Sequence, residues 1–93
     1  MITEKLNNEE LQNAAGGAVI SNEVFNLNNY VYRSVYVPAG TLLVMQERPG
    51  GSFMPVSYST GESIFVNAYY SEAGYLVAYK AGTYGYVDAK YVR

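Results

Sequence analysis

The chain has 93 residues with neither cysteine nor histidine, and its six Lys or Arg against eight Asp or Glu leave a net charge of −2. Missing cysteine excludes disulfides, thiolate metal sites and a thiol nucleophile, and missing histidine removes the usual general base and the commonest transition-metal ligand. So short a chain holds one domain at most, and without a basic surplus it argues against nucleic acid and against a polybasic role at a membrane surface.

The N-terminal residues carry helix signals that agree with one another. Asn7 is a good N-cap, Glu10 stands three residues on to complete a capping box, and Leu6 with Leu11 forms a hydrophobic staple. Glu9 and Glu10 suit the positive end of the helix dipole and Gly16 ends the run, which predicts a helix over Asn8–Ala15. A helix this short is marginal in water, so it forms fully only against a partner, presenting Leu6, Leu11 and Ala14. There is no apolar run long enough for a transmembrane helix, and the N-terminus lacks the apolar centre of a secretory signal peptide.

Residues 1–17 resemble the double-glycine leaders of bacteriocin-type secreted peptides. Leu6, Glu10, Leu11, Ala14, Gly16 and Gly17 fill that pattern in register, with Ala14 where a bulkier aliphatic residue is usual. The resemblance implies recognition of Leu6, Glu10, Leu11 and Ala14 by the cysteine-peptidase domain of a peptide-exporting ABC transporter, and cleavage after Gly17. Two residues without side chains suit a narrow catalytic channel. The competing reading is an ordinary helix packed on the domain that follows.

Residues 18–29 read as a linker or first edge segment, and residues 30–93 as the folded body. From Ala18 onward, five acidic and five basic side chains sum to zero, and every tyrosine of the chain lies at or beyond Tyr30. Tyr and Val interleaved with short turns are strand composition. The expected strands are Tyr30–Val37, Thr41–Met45, Phe53–Tyr58, Glu62–Tyr70, Tyr75–Lys80 and Tyr84–Val87, with a short final one at Tyr91–Val92. Breaks such as Arg48-Pro49-Gly50-Gly51, Ser59-Thr60-Gly61 and Ala81-Gly82-Thr83 carry turn chemistry. The fold class is therefore all-β, a small antiparallel barrel or sandwich. Alternation places Ile64, Val66 and Ala68 on the core face of their strand, and Phe65, Asn67 and Tyr69 on the other.

From Gly40 to Arg93 the chain resembles the bacterial SH3 domain family. The resemblance rests on Gly40-Thr41-Leu42-Leu43-Val44, Gly61-Glu62-Ser63-Ile64-Phe65-Val66, Gly74-Tyr75, Gly85-Tyr86-Val87 and Lys90-Tyr91-Val92, in the family's order. Leu43, Met45 and Tyr75 replace the Asn, Arg and Trp usual there. The resemblance implies an SH3-like barrel and a non-catalytic module, often exported, that binds peptides or cell-wall components.

Candidate ligand contacts are Phe53, at the end of the Arg48–Phe53 loop, and Tyr69, Tyr70, Tyr75, Tyr84 and Tyr86, an aromatic shelf suited to a Pro-rich peptide or a sugar face. Tyrosines also simply cover small cores, and the loop also reads as a plain connection. The single, scattered carboxylates form no acid–base pair and no metal-ligand cluster, so no enzyme activity, metal or cofactor is expected. The expectation is an exported binding module, cytoplasmic as precursor and secreted or at the cell surface after leader removal. The alternative is an unprocessed intracellular or structural interaction domain with the N-terminal helix packed on the barrel.

Overall fold

The structure, a computed structural model, describes residues 22–93. The expected helix and the leader residues Leu6, Glu10, Leu11, Ala14, Gly16 and Gly17 lie outside the described residues. Strands form where the Tyr- and Val-rich stretches run between turns: β1 (Tyr30–Ser34), β2 (Leu43–Gln46), β3 (Phe53–Tyr58), β4 (Ser63–Glu72), β5 (Tyr75–Lys80) and β6 (Thr83–Asp88). They make one antiparallel sheet in the order β1-β4-β5-β6-β2-β3, with β1 and β3 at its edges. The protein is all-β, with no α-helix among the described residues.

The strands β4, β5 and β6 form a meander joined by two-residue turns of the same kind. Ala73 and Gly74 have φ of 53° and 83°, and Ala81 and Gly82 have φ of 51° and 85°. Two successive residues at positive φ give the turn whose twist matches that of the flanking strands. Glycine adopts this conformation freely, whereas the two alanines hold it under strain.

One face of the sheet encloses Val35, Leu43, Met45, Tyr58, Ile64, Val66, Ala78 and Val87, all buried. Each large aliphatic side chain removed from water there contributes about 1.5–3 kcal/mol. Gly85 of β6 lies on this face, where a Cβ would run into the side chains of Met45 and Met54. Its missing side chain lets the two methionines cross the strand.

The ends of β4 and β6 and the last residue of β2 shift from expectation by one or two residues, and three larger differences each have a local setting. β1 ends at Ser34 where its partner β4 begins at Ser63: Val35 bonds instead to the preceding turn, donating to the Glu62 carbonyl at 3.0 Å and accepting from the Gly61 amide at 2.6 Å, and makes an isolated bridge with Val92. Thr41 and Leu42 stay outside β2, the Thr41 amide and hydroxyl both donating to the Pro38 carbonyl in a turn. Tyr91 belongs to a 3-10 turn, Ala89–Tyr91, whose cap Asp88 accepts from the Lys90 amide at 3.0 Å. That turn carries the chain back to the exit of β1, where the Arg93 amide donates to the Ser34 carbonyl at 2.9 Å.

The largest departure is in β4. Its register with β5 runs Phe65↔Tyr79 and Val66↔Ala78, then resumes at Ser71↔Leu76, so residues 67–70 face a single residue, Val77. The excess forms a bulge. Alternation consequently fails at Ala68, which is exposed, whereas Asn67 is buried at 3% exposure. The Asn67 side-chain carbonyl accepts from the amides of Tyr69 at 2.8 Å and Tyr70 at 3.0 Å. It stands in for the backbone acceptors that the bulge takes away.

Candidate binding cleft

The second face of the sheet carries an aromatic row. Tyr32 of β1 pairs with Phe65 of β4, Phe65 with Tyr79 of β5, and Tyr79 with Tyr84 of β6. Directly paired residues share a face, so four aromatic side chains from four strands stand side by side. The Tyr32 and Phe65 rings are 4.6 Å apart at 34°, and those of Tyr79 and Tyr84 are 4.8 Å apart. Tyr30, two residues from Tyr32, backs the row with its ring 5.4 Å from Phe65.

One end of this row is covered by the chain itself. Residues 22–29 form two 3-10 turns, Asn22–Phe25 and Leu27–Asn29, that lie as a strap across the Tyr84 end. Phe25 sets its ring edge-on to Tyr84 at 4.9 Å, and the Tyr84 hydroxyl donates to the Phe25 carbonyl at 2.7 Å. The Val24 carbonyl accepts twice, from the Tyr30 hydroxyl at 2.5 Å and from the Asn67 side-chain amide at 3.2 Å. Burial pushes the phenols of Tyr30 and Tyr84 up, so they remain donors at neutral pH.

The other end of the row is open. Tyr32, at 72% exposure, Phe65 and Tyr79 form the aromatic wall of a cleft of about 310 Å³, completed by Tyr58, Glu62, Ser63, Lys80 and Ala81. Lys80 and Glu62 stand 3.8 Å apart at its rim. Glu62 is fixed from behind, accepting from the Ser59 hydroxyl at 2.6 Å and the Ser59 amide at 2.9 Å. Those two bonds, and then the Lys80 ammonium, hold its carboxyl below the ordinary carboxylate value. Lys80 donates to the Ser57 carbonyl at 3.3 Å and lies 4.5 Å over the Tyr58 ring. The Tyr58 hydroxyl is buried and has no hydrogen-bond partner among the described residues. Burial, with the Glu62 carboxylate nearby, pushes this phenol up to about 12.

Of the six residues singled out from sequence, Tyr70, Tyr84 and Tyr86 pack against one cluster, that of Val24, Tyr30 and Val77, and the other three lie apart from it. Phe53, at 71% exposure, lies on edge strand β3, and Tyr69, at 83%, projects from the bulge. Tyr70 and Tyr86 both donate to one oxygen of Glu72, at 2.7 and 3.3 Å. Burial comes first in raising both phenols. Tyr75 is half-buried opposite Asp88 and Glu72, and Tyr84 lies under the strap. None of the six lines the cleft. Sequence reasoning missed Tyr32, Phe65 and Tyr79 as a group. The signal was the two-residue turn after Lys80, which places Tyr79 opposite Tyr84 and so starts the row.

Among the described residues, no three acidic side chains come together in a way that could hold a metal ion, and no helix is long and apolar enough to cross a membrane. Comparison with protein-family models, curated proteins and solved structures finds no match to this chain.

Proposed function

We propose that this chain is a non-catalytic SH3-like binding module, exported after cleavage of a double-glycine leader at Gly17, and that it takes a peptide or cell-wall component in the open cleft. The observation that carries the binding role is the aromatic wall of Tyr32, Phe65 and Tyr79 beside the Lys80–Glu62 pair. An apolar wall with a few convergent polar groups suits recognition. The SH3-like reading draws support from the all-β antiparallel sheet and from the return of Val92 to Val35 after a 3-10 turn. Export draws support from the leader pattern alone. The strap begins downstream of Gly17, so it travels with the body.

Two measurements test this reading. A double-glycine exporter peptidase domain should cut the full chain after Gly17, and Gly17→Leu should abolish the cut; cleavage indifferent to that change overturns export by this route. The same chain should be retained on cell-wall fragments or bind peptides from a mixed pool, and Phe65→Ala should release it.

A second reading, an interaction domain that keeps its N-terminal helix packed on the body, draws support from the strap, because Val24 and Phe25 already tie the preceding chain to the sheet. Amide exchange separates the two: free exchange over residues 1–17 favours a detachable leader, and slow exchange favours the packed helix.

A further inference from the structure

We infer that the outer edge of β1 takes an extended peptide, which joins the sheet as a further short strand opposite Tyr32 and presents an acidic side chain to Arg33, an aromatic one to the Tyr32 ring and an apolar one to Val31. This rests on the binding role proposed above and places the peptide backbone at the outer lip of the cleft, where Tyr32 stands.

The backbone sets the place. The Ser34 amide donates to the Arg93 carbonyl at 3.3 Å and the Arg93 amide to the Ser34 carbonyl at 2.9 Å, so the main-chain groups of Ser34 point away from β4. Those of Val35 point the other way, to Gly61 and Glu62. Main-chain direction alternates along a strand, so Arg33 and Val31 turn theirs to β4, whereas the N–H and C=O of Tyr32 face outward. No described residue bonds to them. On one side of this open pair, Tyr91–Arg93 already lies along Ser34–Tyr36 as an added antiparallel segment, the Tyr36 amide donating to the Tyr91 carbonyl at 2.9 Å. On the other side, the Tyr30 amide is taken by the Leu27 carbonyl. The gap between them admits a short extended segment in line with Tyr91–Arg93, held by main-chain bonds.

The side chains select what fills the gap. In a hydrogen-bonded antiparallel pair, the residue opposite Tyr32 puts its side chain on the Tyr32 face. Tyr32 stacks one side of its ring on Phe65, 4.6 Å away, yet is 72% exposed, so the other side is bare. An aromatic residue there extends the row of Tyr32, Phe65, Tyr79 and Tyr84 by one ring. The flanking peptide residues fall beside Val31, which is exposed, and Arg33, which is exposed and has no ion-pair partner among the described residues. An apolar residue suits the first and a carboxylate the second. A second copy of this chain fits less well: pairing two β1 strands about Tyr32 brings Tyr30 of one copy opposite Ser34 of the other, where Arg93 already lies. The opposite edge of the sheet, β3, carries Pro55, exposed and without an N–H, and is blunted against such addition. β1 has no proline, and its single charge favours an acidic peptide.

The test follows amide chemical shifts of the full chain during titration with acetyl-Gly-Gly-Asp-Tyr-Val-Gly-Gly-amide, with the same peptide N-methylated at its tyrosine, and with a form carrying Lys in place of Asp. The first peptide should shift the amides of Val31, Tyr32 and Arg33 and slow exchange at the Tyr32 amide. Methylation at nitrogen removes the donor to the Tyr32 carbonyl and should weaken binding roughly tenfold, the scale of one main-chain bond left unmade. The Lys form should bind the unaltered chain more weakly than the Asp form, and Arg33→Glu should reverse that order, which a mere loss of folding would not do. Equal binding of the methylated and parent peptides overturns strand addition. Shifts at Ser63, Lys80 and Ala81 with the Tyr32 amide unmoved put the peptide inside the cleft, overturning the edge assignment and leaving the binding role standing. Shifts at Tyr32 that grow with protein concentration alone give the edge to a second copy and overturn the assignment too. Silence from all three peptides overturns the edge site, and the binding role falls with it only if the chain is also retained neither on cell-wall fragments nor by a mixed peptide pool.

Discussion

The side-chain amide of Asn67 donates to the Val24 carbonyl across 3.2 Å, tying the strap to the bulge of β4. The other end of the same amide accepts from the Tyr69 and Tyr70 backbone. One buried side chain therefore shapes the bulge and anchors the segment that covers the aromatic row.

Asn67→Ala strips these partners at once and leaves backbone N–H groups unsatisfied. Stability should fall by about 2–3 kcal/mol, read from denaturant midpoints at constant slope. The amides of Tyr69 and Tyr70 should also lose protection from exchange. A loss under about 0.5 kcal/mol, within the usual range for a surface substitution, would show that something else holds the bulge.

Gly85→Ala adds a methyl group where Met45 and Met54 pass, and Met54 Sδ would lie 2.9 Å from the new carbon. Overpacking of this kind costs about 1–3 kcal/mol. Combining it with Met45→Ala tests the cause. In that background, itself destabilised by a cavity, the added cost of Gly85→Ala should shrink, giving a coupling energy that additive sites lack.

The two strained turns offer a gain. Asn tolerates the left-handed conformation better than Ala, so Ala73→Asn should raise stability by about 0.5–1 kcal/mol. Ala73 is exposed and lies away from the cleft, so binding should be unchanged. An unchanged or lowered midpoint would argue that the turn is not strained.

The buried phenols set an alkaline limit. Tyr58 is pushed up to about 12, and Tyr30 and Tyr86 are raised further, against an ordinary value of 10.0. A folded-state value above the unfolded one means the contribution is complete below about pH 10 and is lost as pH rises through the folded value. Stability should thus fall above pH 10, by up to about 1.4 kcal/mol per pH unit for each such tyrosine. Tyrosinate absorbance should rise in two stages, exposed phenols first and buried ones with unfolding; a single stage near pH 10 would contradict this. Glu62 acts at the opposite end, its value lowered from 4.5 by Ser59, so its contribution is present above that value and disappears as the pH drops through the folded one.

Alternation and turn chemistry made most of the sheet legible. β3 and β5 begin and end at the expected residues, because each is bounded by turns that local residues specify. The bulge was not legible, since Asn67 is buried through a bond to Val24, remote in sequence, and alternation alone placed Ala68 inside. For the same reason Tyr84 looked available as a shelf residue when its hydroxyl is claimed by Phe25, 59 positions away. Strand order hid the cleft: Tyr32 meets Phe65 only because β1 skips β2 and β3 to pair with β4.

That skip also dictates when the protein becomes itself. β1 has no strand partner until residues 63–67 exist, and β2 and β3 attach to the rest of the sheet through β6, whose first residue is Thr83. A chain that appears from its N-terminus, at a ribosome or through a narrow pore, can form the β2–β3 hairpin early, and a lone hairpin is barely stable in water. Native structure must wait for the closing stretch that supplies β5 and β6, so nearly the whole length passes in a loose, threadable state before the sheet locks.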